Sequence, residues 1–135
     1  MNNEEQYKTL LKHIHTDLLK ERGFKKVGQS FRLIKEVNGG YYGCIINFQK
    51  SAYNDKTKLR FTVNAGRKFS SEKIPESFKI YDCRIPDDYV RLASLSQKYG
   101  SDKWWSITSE TDMTATENEI KDLIKSTGFS FFDIC

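Results

Sequence analysis

Tyr7, Leu10, Leu11, Ile14 and Leu18 recur along one face of a 3.6-residue period, and this spacing predicts an amphipathic N-terminal helix. Asn3 is the expected cap, with Gln6 three residues on to complete a capping box. Lys20 and Arg22 suit the negative end of the helix dipole. Gly23 suits the left-handed stop, with Phe24 folding back onto Leu19.

The period then changes from helical to alternating. Ser30–Val37, Tyr41–Gln49 and Lys58–Gly66 read as three antiparallel strands, and Asn38-Gly39-Gly40 forms the first hairpin. Tyr42, Cys44, Ile46 and Phe48 share one face of the second strand; Gly43, Ile45, Asn47 and Gln49 share the other. Leu59, Phe61, Val63 and Ala65 alternate with Lys58, Arg60, Thr62 and Asn64 in the third. A turn at Asn38-Gly39 sets Phe31 opposite Ile46, and a turn at Gly39-Gly40 sets it opposite Phe48. Either register keeps Phe31 and Leu33 on the apolar face, whereas a one-residue slip turns them outward. The expected core is Phe31, Ile46, Phe48, Phe61 and Val63 against Leu11, Ile14 and Ile124.

Further on, 67–77 reads as a loop and Phe78–Ile85 as a strand. Pro86 opens either a short helix through Tyr89, Leu92 and Leu95 or a loop leading to an edge strand. Lys103–Thr108 reads as a strand, preceded by a turn at Gly100-Ser101-Asp102. Thr114 with Glu117 makes a second capping box, opening a helix whose Ile120, Leu123 and Ile124 face inward and which Gly128 should end. The apolar stretch Phe131–Cys135 is expected to dock on the core or to continue in a longer chain. The fold class is α+β: a two-layer domain over 1–135, with a mainly antiparallel sheet of about five strands and the N- and C-terminal helices on one face.

Composition narrows the function classes. With 38% hydrophobic and 30% charged residues, 135 residues suit a globular domain and argue against disorder. No apolar run approaches the roughly 18–20 residues of a membrane span, and no leader pattern opens the chain. Three scattered cysteines encode neither a disulfide framework nor a zinc module, so a reduced, cytoplasmic setting is expected. The net charge of +4 conceals an asymmetry. Residues 1–101 carry 19 Lys/Arg against 11 Asp/Glu, a balance of +8, and 102–135 carry 3 against 7, a balance of −4. The basic residues are spread along the chain, which suits solvated faces better than a binding stripe.

Motifs for catalysis are missing. His13 and His15, two apart on a helix, diverge and share no metal. No Walker loop, nucleophile elbow or dinucleotide fingerprint is present. Cys44 falls mid-strand on the apolar face, where it should be unreactive, leaving Cys83 or Cys135 to label first. The informative polar set is the outward face of the meander. Asn47, Gln49, Arg60, Thr62 and Asn64 form a ledge there, joined by Lys50 and by Trp105 as an aromatic anchor. One member of the Trp104-Trp105 pair should be buried, and the tail Phe131–Ile134 is expected to cover the other. Outward strand residues pack little, so replacing Asn47 and Asn64 together is expected to spare stability. No metal, cofactor or catalytic residue is expected.

Gly23-Phe24-Lys25-Lys26 with Phe31-Arg32, Ile46-Asn47-Phe48-Gln49-Lys50-Ser51, Phe61-Thr62-Val63-Asn64-Ala65-Gly66, Cys83 with Arg91-Leu92, and Asp102-Lys103-Trp104-Trp105 occur in that order. In these strings the chain resembles the bacterial domain-of-unknown-function 4304 family over nearly its whole length. The resemblance implies a small bacterial cytosolic domain and transfers no functional residue. The expected function is a non-enzymatic binding or interaction module, in one form an immunity-type neutraliser of a protein partner. The alternative is a small-ligand binder or enzyme using the polar sheet face. A weak electrostatic nucleic-acid binder comes third, since no RNA-binding motif is present.

Overall fold

The computed structural model describes residues 1–83 and 87–133. The end of the predicted strand at Ile85, the Pro86 turn, Ile134 and Cys135 lie outside the described residues. Helix α1 (Asn3–Ile14) is capped by Asn2, not Asn3. The Asn2 Oδ1 accepts from the Glu5 amide at 2.8 Å, and the Glu5 carboxylate accepts from the Asn2 amide at 3.4 Å. Asn2-with-Glu5 and Asn3-with-Gln6 are competing boxes one residue apart, and the pair with the carboxylate wins at the positive end of a helix dipole. The helix widens into a π turn over His15–Leu19 and tightens into a 3-10 turn over Lys20–Arg22. Gly23, at φ 91°, ends it, and the Phe24 amide donates to the Leu19 carbonyl at 3.1 Å.

Among the described residues the sheet has six strands: β1 (Lys25–Val27), β2 (Ser30–Val37), β3 (Gly40–Lys50), β4 (Leu59–Ser70), β5 (Tyr89–Arg91) and β6 (Trp105–Ile107). All pairings are antiparallel. The turn falls at Asn38-Gly39, which places Phe31 opposite Ile46 and Leu33 opposite Cys44. β4 runs on to Ser70 through residues expected to be loop, because Tyr41, Tyr42 and Gly43 at the start of β3 offer it backbone partners. β5 and β6 lie end to end along the far edge of β4, the former against Asn64–Gly66 and the latter against Leu59–Phe61. Among the described residues from Phe78 to Cys83 there is no strand. A 3-10 turn over Ile80–Asp82 takes its place, and another, Leu92–Leu95, follows β5.

Helix α2 (Met113–Leu123) starts at Asp112, whose Oδ1 accepts from the Ala115 amide at 3.0 Å, so the Thr114–Glu117 box is not used. It does not stop at Gly128 either. The chain stays helical through a π turn (Ile124–Gly128) and a last turn, α3 (Phe129–Phe132), until Asp133 adopts a left-handed conformation at φ 59°. Continuing the helix buries Phe129 and Phe132. That apolar gain, about 1.5–3 kcal/mol per large side chain, outweighs the weak stop signal of one glycine.

The helix-facing side of the sheet holds the main core. Phe31, Ile46, Phe48, Phe61 and Val63 pack with Leu11, Ile14 and Ile124 in one cluster. The other side is not left to solvent. Ile45 is 1% exposed, because Ile74, Phe78, Ile80 and Cys83 cross it as a strap. Gly43 and Gly66 make room: a Cβ would sit 2.9 Å from Phe78 at the first and 2.7 Å from the Cys83 Sγ at the second. The tail expected over a tryptophan docks elsewhere. Phe132 packs on Phe24, 6.1 Å between ring centroids, and its carbonyl accepts from the buried Tyr42 hydroxyl at 2.6 Å. Arg67 fastens the same tail, donating to the Phe131 carbonyl at 2.7 Å and to Asp88 at 3.0 Å.

Candidate functional site

Strand parity sets Asn47, Gln49, Arg60, Thr62 and Asn64 on the outward side of β3 and β4, beyond the end of the strap. The amides form a relay. The Asn64 Nδ2 donates to the Gln49 Oε1 at 2.9 Å and lies 3.4 Å from the Asn47 Oδ1, while the Asn47 Nδ2 donates to the Ser30 hydroxyl at 2.9 Å. Thr62 donates to the Lys103 carbonyl at 2.7 Å and so ties the chain before β6 across the sheet. Both Asn64 and Thr62 are 1% exposed. The premise that outward strand residues pack little fails at Asn64, an interior hydrogen-bonded residue despite its outward direction.

Two predicted members lie on the opposite side. Lys50 stands opposite Phe61, on the helix side, where it pairs with Glu4 of α1 at 2.9 Å. Trp105 also stands opposite Phe61, with the two rings 5.9 Å apart, and is 4% exposed. The tryptophan of the ledge is Trp104, half-buried, with the Arg91 guanidinium 5.1 Å and the Arg60 guanidinium 5.7 Å from its ring centroid. Arg91 is the residue that sequence reasoning missed. It stands directly opposite Asn64, which puts its side chain on the ledge face.

Asn64 Oδ1 and Arg91 Nη1 are each buried and without a hydrogen-bond partner among the described residues. An unpaired buried polar atom costs about 1–3 kcal/mol. Here an acceptor and a donor are left so on residues paired across one strand boundary. The ledge carries two guanidiniums, an indole and three amide side chains, a set suited to holding a polar or anionic group.

Groups suited to catalysis lie elsewhere. His13 pairs with Glu117 at 2.8 Å, and the His15 Nε2 donates to the Phe24 carbonyl at 2.8 Å, both from the helix layer. Burial pushes the Cys44 thiol up to about 12 and the Cys83 thiol up to about 11. Cys83, expected with Cys135 to label first, is 4% exposed as part of the strap. Among the described residues no three His, Cys, Asp or Glu side chains gather to hold a metal ion, and no helix is long and apolar enough to cross a membrane. Two depressions, of about 660 and 620 Å³, lie beside Tyr99 and α2 and at the start of α1; neither is lined by Asn47, Gln49 or Asn64.

The family model described as "Domain of unknown function (DUF4304)" matches residues 15–134, nearly the whole chain. The chain belongs to the DUF4304 family. The matched span contains all six described strands, α2 and the whole ledge, and begins just after α1 ends. No curated protein and no solved structure matches this DUF4304 chain.

Proposed function

We infer that the protein is a non-enzymatic binding module that holds, and in its immunity-type form neutralises, a protein partner through the outward sheet face. Asn47, Gln49, Asn64, Arg60, Arg91 and Trp104 form the contact surface. The observation that carries this reading is the interior Asn64 amide with its carbonyl oxygen unpaired. A face with only a structural duty would favour Thr, Val or Ile there, since Asn is a poor strand former. Arg and Trp are the side chains that most often dominate interface energies. The two cations favour an acidic partner by speeding encounter. The engagement of both histidines with other groups and the raised thiols support binding over chemistry.

The test is retention of a host partner by the tagged chain. Wild type and a control variant on the exposed face of α1, Lys8→Ala/Lys12→Ala, should retain the same protein. Arg60→Glu/Trp104→Ala should lose it while melting within a few degrees of wild type. Retention of that partner by the Arg60/Trp104 variant would remove the ledge as the binding surface. Loss on adding a DNA or RNA competitor would favour nucleic acid instead, through phosphate contacts that weaken steeply with salt.

A further inference from the structure

The amide of Asn64 is planar, with its nitrogen and oxygen on opposite sides of Cγ. Its Nδ2 is turned toward β3, where it meets Gln49 and Asn47. Its Oδ1 accepts no hydrogen bond among the described residues, and β5 sets Arg91 directly opposite Asn64 across the strand boundary. The Arg91 guanidinium rests by the Trp104 indole, 5.1 Å from its ring centroid, and leaves Nη1 unpaired. One buried acceptor and one buried donor thus stand on paired residues of neighbouring strands.

We propose that Asn64 Oδ1 and Arg91 Nη1 together form a recognition site for a primary carboxamide, the side chain of an Asn or Gln on the partner protein, which enters as the Arg91 head moves aside. The inference rests on the binding role given above and names the group that the site reads. A carboxamide carries a donor and an acceptor in one plane, so its N–H meets Asn64 Oδ1 while its C=O accepts from Arg91 Nη1. A carboxylate satisfies Arg91 but sets an oxygen against the Asn64 oxygen. An ammonium does the reverse. Arg91 and Trp104 are both half-buried, and the Arg91 guanidinium lies over the indole face. The head can therefore swing to admit the group without breaking a hydrogen bond. The amide relay behind Asn64, anchored on Ser30, fixes which way the Asn64 oxygen points, and so distinguishes carboxamide from acid.

The test uses the whole chain labelled with nitrogen-15, reading the Asn64 side-chain amide and the Arg91 Nε by NMR. N-acetylglutamine methylamide, N-acetylglutamate methylamide and N-acetylalanine methylamide are titrated separately. The glutamine compound should shift both signals saturably, and the other two should shift neither. Arg91→Lys, which keeps the charge, should weaken the glutamine compound about tenfold, the effect of losing one directed bond from a buried site. An equal response to the glutamate compound would show that charge alone is read, and to the alanine compound that a backbone amide suffices. Unchanged affinity in Arg91→Lys, or no response to any probe, would equally overturn the proposal, the last leaving a buried water as the occupant. None of these outcomes touches the binding role, which stands or falls with partner retention by the Arg60/Trp104 variant.

Discussion

Replacing Phe61 with Ala tests the packing on which the whole sheet depends. Phe61 is fully buried, with ring centroids of Tyr7 at 5.2 Å, Trp105 at 5.9 Å and Phe48 at 6.0 Å. Losing the ring forfeits its transfer free energy, about 2–3 kcal/mol. The cavity adds about 1–2 kcal/mol, because its walls collapse little. Tyr7 is held by its hydroxyl, which donates to the Gln29 Oε1 at 2.6 Å, and Trp105 is held by strand pairing. A loss of about 3–5 kcal/mol is expected in urea denaturation, against a total of about 5–15 kcal/mol for a domain of ordinary stability. At about 3–5 °C per kcal/mol the melting temperature should fall by roughly 10–20 °C. Phe61→Leu, which keeps most of the volume, should lose under about 1.5 kcal/mol. A loss under about 1 kcal/mol for Phe61→Ala would mean that the ring is not enclosed, and would refute the assignment of the core to the helix side.

Cys44 and Cys83 should both resist a thiol reagent in the native state, checked by mass spectrometry after brief labelling. Their folded thiols titrate at about 12 and about 11, so the unfolded chain gives up protons first as pH rises. Stability should be fully present below about 8.5, the unfolded thiol value, and fall above it, as urea midpoints between pH 8 and 10 would record. Arg67→Met should cost about 1–3 kcal/mol by leaving the Phe131 carbonyl unpaired, and should speed hydrogen exchange over 129–133 while sparing β3. Asn64→Ala should lose about 1 kcal/mol, since a hydrogen bond and an unpaired oxygen disappear together; an unchanged urea midpoint for Asn47→Ala/Asn64→Ala would contradict the interior placement. If residues 1–135 form one domain, calorimetry should record a single cooperative transition.

Alternation made the meander legible. Every second residue from Phe31 to Ala65 reports the helix-facing side, and the Asn-Gly turn left two registers, of which the structure adopts one. Lys50 continues the parity of Ile46 and Phe48, so its helix-side position follows from the alternation once the strand is carried one residue past Gln49. Trp104 and Trp105 were ambiguous for a physical reason: adjacent strand residues face opposite ways, and only the pairing of Trp105 with Phe61 says which goes inward. Arg91 had no local signal. A strand of three residues between irregular turns shows no period, and its face is set entirely by Asn64, 27 positions away. The strap over Ile45 was equally hidden, its only traces being the apolar Ile74, Phe78 and Ile80 and the side-chain-free Gly43 and Gly66 across the sheet.

Because β5 and β6 hang from one edge of the same strand, the chain between them leaves β4 and returns to it. Both ends of that excursion are anchored, at Asn64–Gly66 and at Leu59–Phe61, and its inner part is pinned by buried Leu92 and Ala93. The remainder runs over the surface, with Gln97, Lys98, Gly100, Ser101 and Asp102 exposed. Length can be added there without moving a strand pair or opening the core. The excursion is thus a graft point: a reporter peptide or a second domain spliced after Gly100 would emerge beside Trp104 and sense occupancy of the ledge from a few residues away.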